Sequence, residues 1–188
     1  MNLDMLYEIR FHGRGGQGVV TAAELLVKAA NVEGKWGQSI PFFGAERRGA
    51  PITASARFSD AKLSIHSQVY NPDLVVVLDK KILDFMNVTQ GLKREGSILI
   101  NSPSHFSVMK DSAYKTWLVN ATKIAEELGL KMAGWTIVNT AMLGGVIRIF
   151  NWIRLSSLIE AIKSNWVGQV GELNAKAAER AFEEVQIA

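Results

Sequence analysis

The chain has 188 residues and a mass of 20.7 kDa, with 48% hydrophobic and 21% charged residues; that is enough apolar side chain for a buried core and too little net charge for a disordered segment. Lys and Arg number 21 against 18 Asp and Glu, a net +3. The bases fall in scattered pairs (Arg47-Arg48, Lys80-Lys81, Lys93-Arg94) and form no concentrated stripe for nucleic acid. Cysteine is absent, which excludes disulfides, thiolate nucleophiles and Cys-held zinc or iron-sulfur on this chain. No basic leader opens the sequence and no apolar run reaches the roughly 18 residues of a membrane span. The expectation is a single domain over residues 1–188, cytoplasmic, engaging neither nucleic acid nor membrane.

In chain order, Leu6 to His12 reads as a strand that ends at a glycine cluster. Val19, Ala22, Ala23, Leu26, Val27 and Ala30 then recur at helical spacing, and this helix ends near Gly34. Trp36 to Phe43 is a second β-prone run, followed by the polar loop Ala45 to Pro51. Ile52 to Phe58 alternates as a strand, and Lys62 to Ser67 is expected to return beside it as a hairpin partner. Leu74 to Leu78 is a continuous apolar run suited to a strand covered on both faces. A helix from about Lys80 to Leu92 is expected next, then strands at Ser97 to Asn101 and Trp117 to Val119 and a helix from Ala121 to Leu128. The remainder reads as helices at Asn139 to Phe150, Leu155 to Trp166 and Glu172 to Val185. The alternation predicts an α/β, Rossmann-like fold: a mostly parallel sheet flanked by helices, with an antiparallel addition around Ile52 to Ser67.

Gly13-Arg14-Gly15-Gly16-Gln17-Gly18 has the G-x-G-x-x-G spacing between a strand and a helix, the context in which that motif binds phosphate. Glycines allow positive φ and close approach of a ligand, and the first-turn N–H groups with the helix dipole favour an anion. A dinucleotide site also needs an acid about 20 residues on to hold the ribose diol, and the second run ends instead in Pro41-Phe42-Phe43. The Gly-Lys-Ser/Thr of a phosphate-binding NTPase loop is missing. A tight turn with no ligand remains the competing reading of the glycines, and a stand-alone nucleotide-binding protein remains open.

The stretch Gly13 to Glu24, together with Phe42-Phe43-Gly44-Ala45-Glu46-Arg47-Arg48-Gly49-Ala50-Pro51, resembles the gamma subunit of pyruvate:ferredoxin oxidoreductases. Asn71-Pro72-Asp73 leading into Leu74 to Asp79, and Val138 to Gly144, match later blocks of the same family. The resemblance implies a non-catalytic subunit of a hetero-oligomer that converts a 2-oxoacid and coenzyme A to acyl-CoA and carbon dioxide and reduces ferredoxin. It implies that thiamine diphosphate and iron-sulfur clusters sit on partner subunits, and that this chain contributes coenzyme A binding and assembly. The Glu46-Arg47-Arg48 form is closer to pyruvate or branched-chain (2-ketoisovalerate) enzymes than to the 2-oxoglutarate type. The phosphate-binding residues then expected are Gly13, Arg14, Gly15, Gly16, Gln17, Gly18, Arg47 and Arg48, since guanidinium forks suit phosphate oxygens.

His12, His66 and His105 lie on separate segments without metal-ligand spacing. Ser102-Pro103-Ser104 and Asn139-Thr140 are expected near the carboxyl ends of the strands, as ligand groups or as helix caps. Trp135, Trp152 and Trp166 read as interface anchors or as core. No nucleophile-base pair or paired carboxylates can be assembled for bond chemistry.

Overall fold

The computed structural model of the chain describes residues 5–42, 49–65, 67–103 and 114–188. In β1 (Leu6–Arg14) the side chains alternate: Ile9 and Phe11 are fully buried in the main core, while Glu8, Arg10 and His12 point to the other face. Antiparallel to β1 lies β3 (Pro51–Ser59), and antiparallel to β3 lies the edge strand β2 (Trp36–Phe42). On the other side of β1 come β4 (Leu74–Val77), β5 (Ser97–Asn101) and β6 (Lys115–Val119), all parallel, closed by the short antiparallel β9 (Gln186–Ile187). The sheet order is β2-β3-β1-β4-β5-β6-β9. A small separate hairpin joins β7 (Lys131–Met132) to β8 (Trp135–Thr136).

The continuous apolar run lands where its composition requires. All four side chains of β4 are at 0% exposure in the middle of the sheet, and they divide between two cores, Leu74 and Val76 to one face, Val75 and Val77 to the other. The first face carries the α-helices of the described residues: α1 (Val19–Val32), α2 (Ala121–Glu127), α3 (Asn139–Ile149), α4 (Leu155–Asn165) and α5 (Gln169–Glu184) all bury residues in that cluster. The second cluster is thinner, with Ile82, Val88 and Leu92 laid against β4 and β5. No helix among the described residues is long and apolar enough to cross a membrane.

Two expected elements are replaced. Lys62 to Ser67 is no strand over its described residues, and β3 pairs with β1 and β2 instead. The carbonyls of Ile65 and Ser67 accept from the Arg57 guanidinium at 3.2 and 3.1 Å, so this backbone serves a buried cation where a ladder was expected. The helix expected from Lys80 to Leu92 is only a 3₁₀ turn, Lys80–Asp84. Arg10 reaches across to the carbonyls of Val88 and Gln90 at 3.0 and 2.6 Å, and Gly91 turns with φ +75° directly beneath the Tyr70 carbonyl. Local helical periodicity is overridden by contacts from β1 and the β3–β4 connection. The terminal stretch read as wholly helical also contains the β7–β8 hairpin and β9.

Candidate ligand site at the carboxyl ends of the parallel strands

The glycine loop leaves the end of β1 and enters α1 at Gly18, which has φ +78° and offers no side-chain cap to the first turn. Gly16 also needs positive φ, +99°, and is open to solvent. Gly13 is required for a different reason: a β-carbon there would collide with Val19 and lie 3.3 Å from Leu78 Cβ, so it sets how closely helix and strand pack. A β-carbon at Gly18 would strike the Asn139 side chain.

Much of the loop is internally committed. Arg14 N–H donates to Gln17 Oε1 at 2.8 Å and Gln17 N–H to the Arg14 carbonyl at 3.1 Å. Gly15 N–H donates to the Ala50 carbonyl at 2.9 Å, and Gly49 N–H donates back to Gly15 at 3.2 Å. This reciprocal pair brings together the two motifs that carry the family resemblance. Arg47 and Arg48, with Glu46, lie outside the described residues; the described chain resumes at Gly49, bonded to Arg48 in sequence and to Gly15 in space. The α1 N-terminus keeps first-turn N–H groups without a side-chain cap, available to an anion.

Arg14 is less free than the sequence alone implies. Its Nε is 2.8 Å from Asp79 Oδ2, its Nη1 donates to the Gly49 carbonyl at 3.2 Å, and its guanidinium lies 5.5 Å from the Phe85 ring centre. Asp79 follows β4, the parallel neighbour of β1, and its other oxygen accepts from Lys81 N–H at 3.0 Å. An acid therefore stands at the carboxyl end of a strand next to the glycine loop, but the chain supplies it 61 residues after Gly18 rather than from the second β run, beyond the reach of motif spacing.

Beside the loop, a cleft of about 500 Å³ opens over the ends of β4, β5 and β6, lined among others by Gln17, Asp79, Lys81, Asn101, Thr122 and Trp135. Asn101 is held rigid: its Nδ2 donates to the Leu78 carbonyl and to Thr122 Oγ1, both at 2.9 Å, and its Oδ1 accepts from Thr122 N–H at 3.1 Å. Asp79, Lys81, Asn101 and Thr122 are absent from the motif-based list. The signal that finds them is topological, because ligands on open α/β sheets gather outside the carboxyl ends of parallel strands.

The remaining candidates divide. His12 is buried and accepts from Arg10 Nε at 3.1 Å through Nε2, with Nδ1 3.5 Å from Thr53 Oγ1; burial and then the Arg10 charge lower its pKa to about 4, so it is a neutral ring held by side chains. Ser102 is 2% exposed with its Oγ unpartnered beneath the rim. Asn139 packs α3 against the loop, with Nδ2 3.4 Å from the Gly18 carbonyl, and Thr140 Oγ1 bonds Asn174 at 2.9 Å in the core; both are packing residues. Trp152 joins an aromatic cluster with Phe58 and Phe150, Trp166 packs on the main core, and Trp135 lines the cleft. His66, Ser104 and His105 lie outside the described residues. Among the described residues no three His, Asp or Glu side chains gather as metal ligands.

The family profile described as "Pyruvate ferredoxin/flavodoxin oxidoreductase" matches residues 8–184. The chain is 47% identical over 186 residues to the pyruvate/ketoisovalerate oxidoreductases common subunit gamma of Pyrococcus abyssi, covering 97% of this chain and 98% of that protein. It is 46% identical over 180 residues to pyruvate synthase subunit PorC of Methanocaldococcus jannaschii, covering 96% and 97%. The crystal structure of pyruvate oxidoreductase subunit PORC from Thermotoga maritima superposes with a TM-score of 0.84 at 35% identity, over 97% of this chain and 98% of that one.

Proposed function

The chain belongs to the pyruvate ferredoxin/flavodoxin oxidoreductase family as a gamma-type subunit, and from that premise we propose that it supplies the coenzyme A phosphate site of a multi-subunit pyruvate:ferredoxin oxidoreductase. The complex converts pyruvate and coenzyme A to acetyl-CoA and carbon dioxide, with the electrons leaving to ferredoxin. Thiamine diphosphate and the iron-sulfur clusters belong to partner subunits, a division consistent with a chain that has no cysteine. Residues 1–188 act as one domain, in the cytoplasm.

The observation that carries this reading is the reciprocal backbone pair between Gly15 and the Gly49-Ala50 segment. It holds Gly49 and Ala50, which follow Arg47-Arg48 in sequence, against the glycine turn, and this supports assigning those two arginines to the site. The uncapped α1 N-terminus contributes partial positive charge and N–H donors to one phosphate. Arg14, neutralised by Asp79, orients the loop through Gly49. None of these groups forms or breaks a bond in the substrate; they hold the nucleotide end so that the thiol reaches chemistry performed on another subunit.

A second reading concerns substrate range. The Pyrococcus abyssi relative is named a common subunit of pyruvate and ketoisovalerate enzymes, and a site that touches only coenzyme A is indifferent to the 2-oxoacid, so this chain is suited to serve both. Native purification with activity assayed on pyruvate, 2-ketoisovalerate and 2-oxoglutarate decides between a dedicated and a shared subunit.

Replacing Arg47 or Arg48 by Ala removes one charge-assisted contact, about 1.5–3 kcal/mol, so KM for coenzyme A should rise roughly 10- to 150-fold. KM for pyruvate should hold. Arginine variants that assemble normally and keep the wild-type coenzyme A dependence would overturn the assignment.

A further inference from the structure

The two edges of the seven-stranded sheet are not finished alike. At one end β9 covers β6 and is itself only two residues long, and so short an edge offers little to an incoming strand. At the other end β2 runs seven residues, Trp36–Phe42, without a charged side chain, and pairs only with β3 among the described residues. Lysines, bulges or a covering helix normally close such an edge, and an uncharged strand of this length is open to another. We propose that β2 pairs antiparallel with β2 of a second copy of this chain, across a two-fold axis at Ser39, so that two gamma subunits share one continuous sheet in the assembled enzyme.

The strand is complementary to its own reverse. In the one antiparallel register that pairs all seven residues, Trp36 stands opposite Phe42 of the second copy at both ends, Gln38 opposite Ile40, Gly37 opposite Pro41, and Ser39 opposite Ser39. Aromatic rings meet aromatic rings, and no like charges face each other. Trp36 and Phe42 are 47% and 56% exposed. They lie on the same side of the sheet as Arg57, which is cross-strand from Gln38. The alternate residues turn to α1 instead: a β-carbon on Gly37 would lie 3.1 Å from Val27 Cγ1. The aromatic pairs therefore form on the side where the described residues place no α-helix.

Pro41 fixes which backbone groups face outward. It has no N–H, and an edge strand accommodates proline where the nitrogen points away from the neighbouring strand. Backbone direction alternates along a strand, so Gly37, Ser39 and Pro41 present their polar groups to the open side. In the register centred on Ser39 the two Ser39 residues exchange both N–H···O=C bonds, and each Gly37 N–H meets a Pro41 carbonyl. The donors that Pro41 lacks fall at the ends of the paired segment, where water serves the Gly37 carbonyl. Each copy then closes the edge of the other, and a two-fold contact of this kind stops at two chains.

The chain has no cysteine, so Ser39→Cys places a single thiol on the proposed axis. A hydrogen-bonded antiparallel pair sets its Cα atoms about 5.5 Å apart, inside the disulfide range of about 4.4–6.8 Å. Mild oxidation of the assembled enzyme, and of the full chain alone, should join two copies into a covalent dimer of twice 20.7 kDa on a non-reducing gel. Glu126→Cys, exposed on α2, should give far less. Sedimentation equilibrium of the full chain supplies the second readout. Trp36→Lys combined with Phe42→Lys sets like charges opposite each other at both ends and should weaken self-association roughly 10- to 100-fold. Trp36→Glu combined with Phe42→Lys alters the same positions but sets opposite charges across the axis, and should recover most of the association at low salt and lose it at high salt. A chain that stays monomeric at every concentration overturns the proposal. So does a Ser39→Cys variant that forms no cross-link, cross-links no better than Glu126→Cys, or joins a different subunit of the complex, and so do two charge variants that associate alike.

Discussion

The guanidinium of Arg14, at the end of β1, is fastened to the carboxylate of Asp79, at the end of β4, with Nε and Oδ2 2.8 Å apart and both side chains largely shielded. The pair ties the glycine loop to the strand beside it and neutralises an acid at the rim proposed to receive coenzyme A phosphate. Its two halves should therefore respond to substitution with opposite sign. Arg14→Ala leaves Asp79 uncompensated near phosphate and should raise KM for coenzyme A more than about tenfold. Asp79→Asn keeps an acceptor for Lys81 N–H, removes the negative charge, and should lower KM by roughly threefold. Coenzyme A titration of the reconstituted complex checks both, and two variants that weaken binding equally would show the pair to be purely structural.

The glycines of the loop differ in what they tolerate. Gly16→Ala meets no neighbouring atom but must adopt φ +99°, which should cost about 1–2 kcal/mol. Gly18→Ala pairs φ +78° with a collision against the Asn139 side chain, so its melting temperature should fall further. Thermal denaturation of the two variants should rank them in that order. The reverse order would mean that α3 yields to the loop.

Arg57 is 1% exposed and lies 2.7 Å from Glu8 across the β1–β3 ladder. Deleting one partner strands a buried charge, a loss of about 3–5 kcal/mol. Glu8→Gln should therefore destabilise strongly. Arg57→Met should also release the carbonyls of Ile65 and Ser67, which limited proteolysis would report as new cleavage between residues 60 and 70.

His12 makes stability pH-dependent. Its pKa in the fold is lowered to about 4 by burial and by Arg10, against 6.5 unfolded, so between those values the unfolded chain binds the extra proton. Stability should fall as pH drops from 6.5 to 4 and lose no more through this group below that, a total on the order of 3 kcal/mol. Urea unfolding across this window should show a shallower slope for His12→Gln than for the parent chain. Parallel slopes would assign the acid sensitivity to other groups.

Sequence by itself determined the elements whose local chemistry admits one solution. The unbroken Leu74 to Leu78 run has no polar face to show water, so it became the central strand; the alternation in Leu6 to His12 and Ile52 to Phe58 divided polar from apolar as a half-covered sheet demands. The glycine spacing marked the turn from β1 into α1, and the Glu46 to Pro51 motif marked the family. Tertiary structure alone decided the rest. Lys80 to Leu92 has helical periodicity, yet Arg10, some 80 residues earlier, draws off the carbonyls of Val88 and Gln90; Lys62 to Ser67 looked like a strand, yet buried Arg57 needed its oxygens. Asp79 and Asn101 are ordinary residues in distant segments that share one cleft because the parallel strands β4 and β5 align their carboxyl ends, and the separate β7–β8 hairpin brings Trp135 to the same cleft. A cation buried by one strand satisfies itself wherever folding places a carbonyl, and a rim forms only once the strands lie side by side; both are relations between segments, which local sequence pattern does not contain.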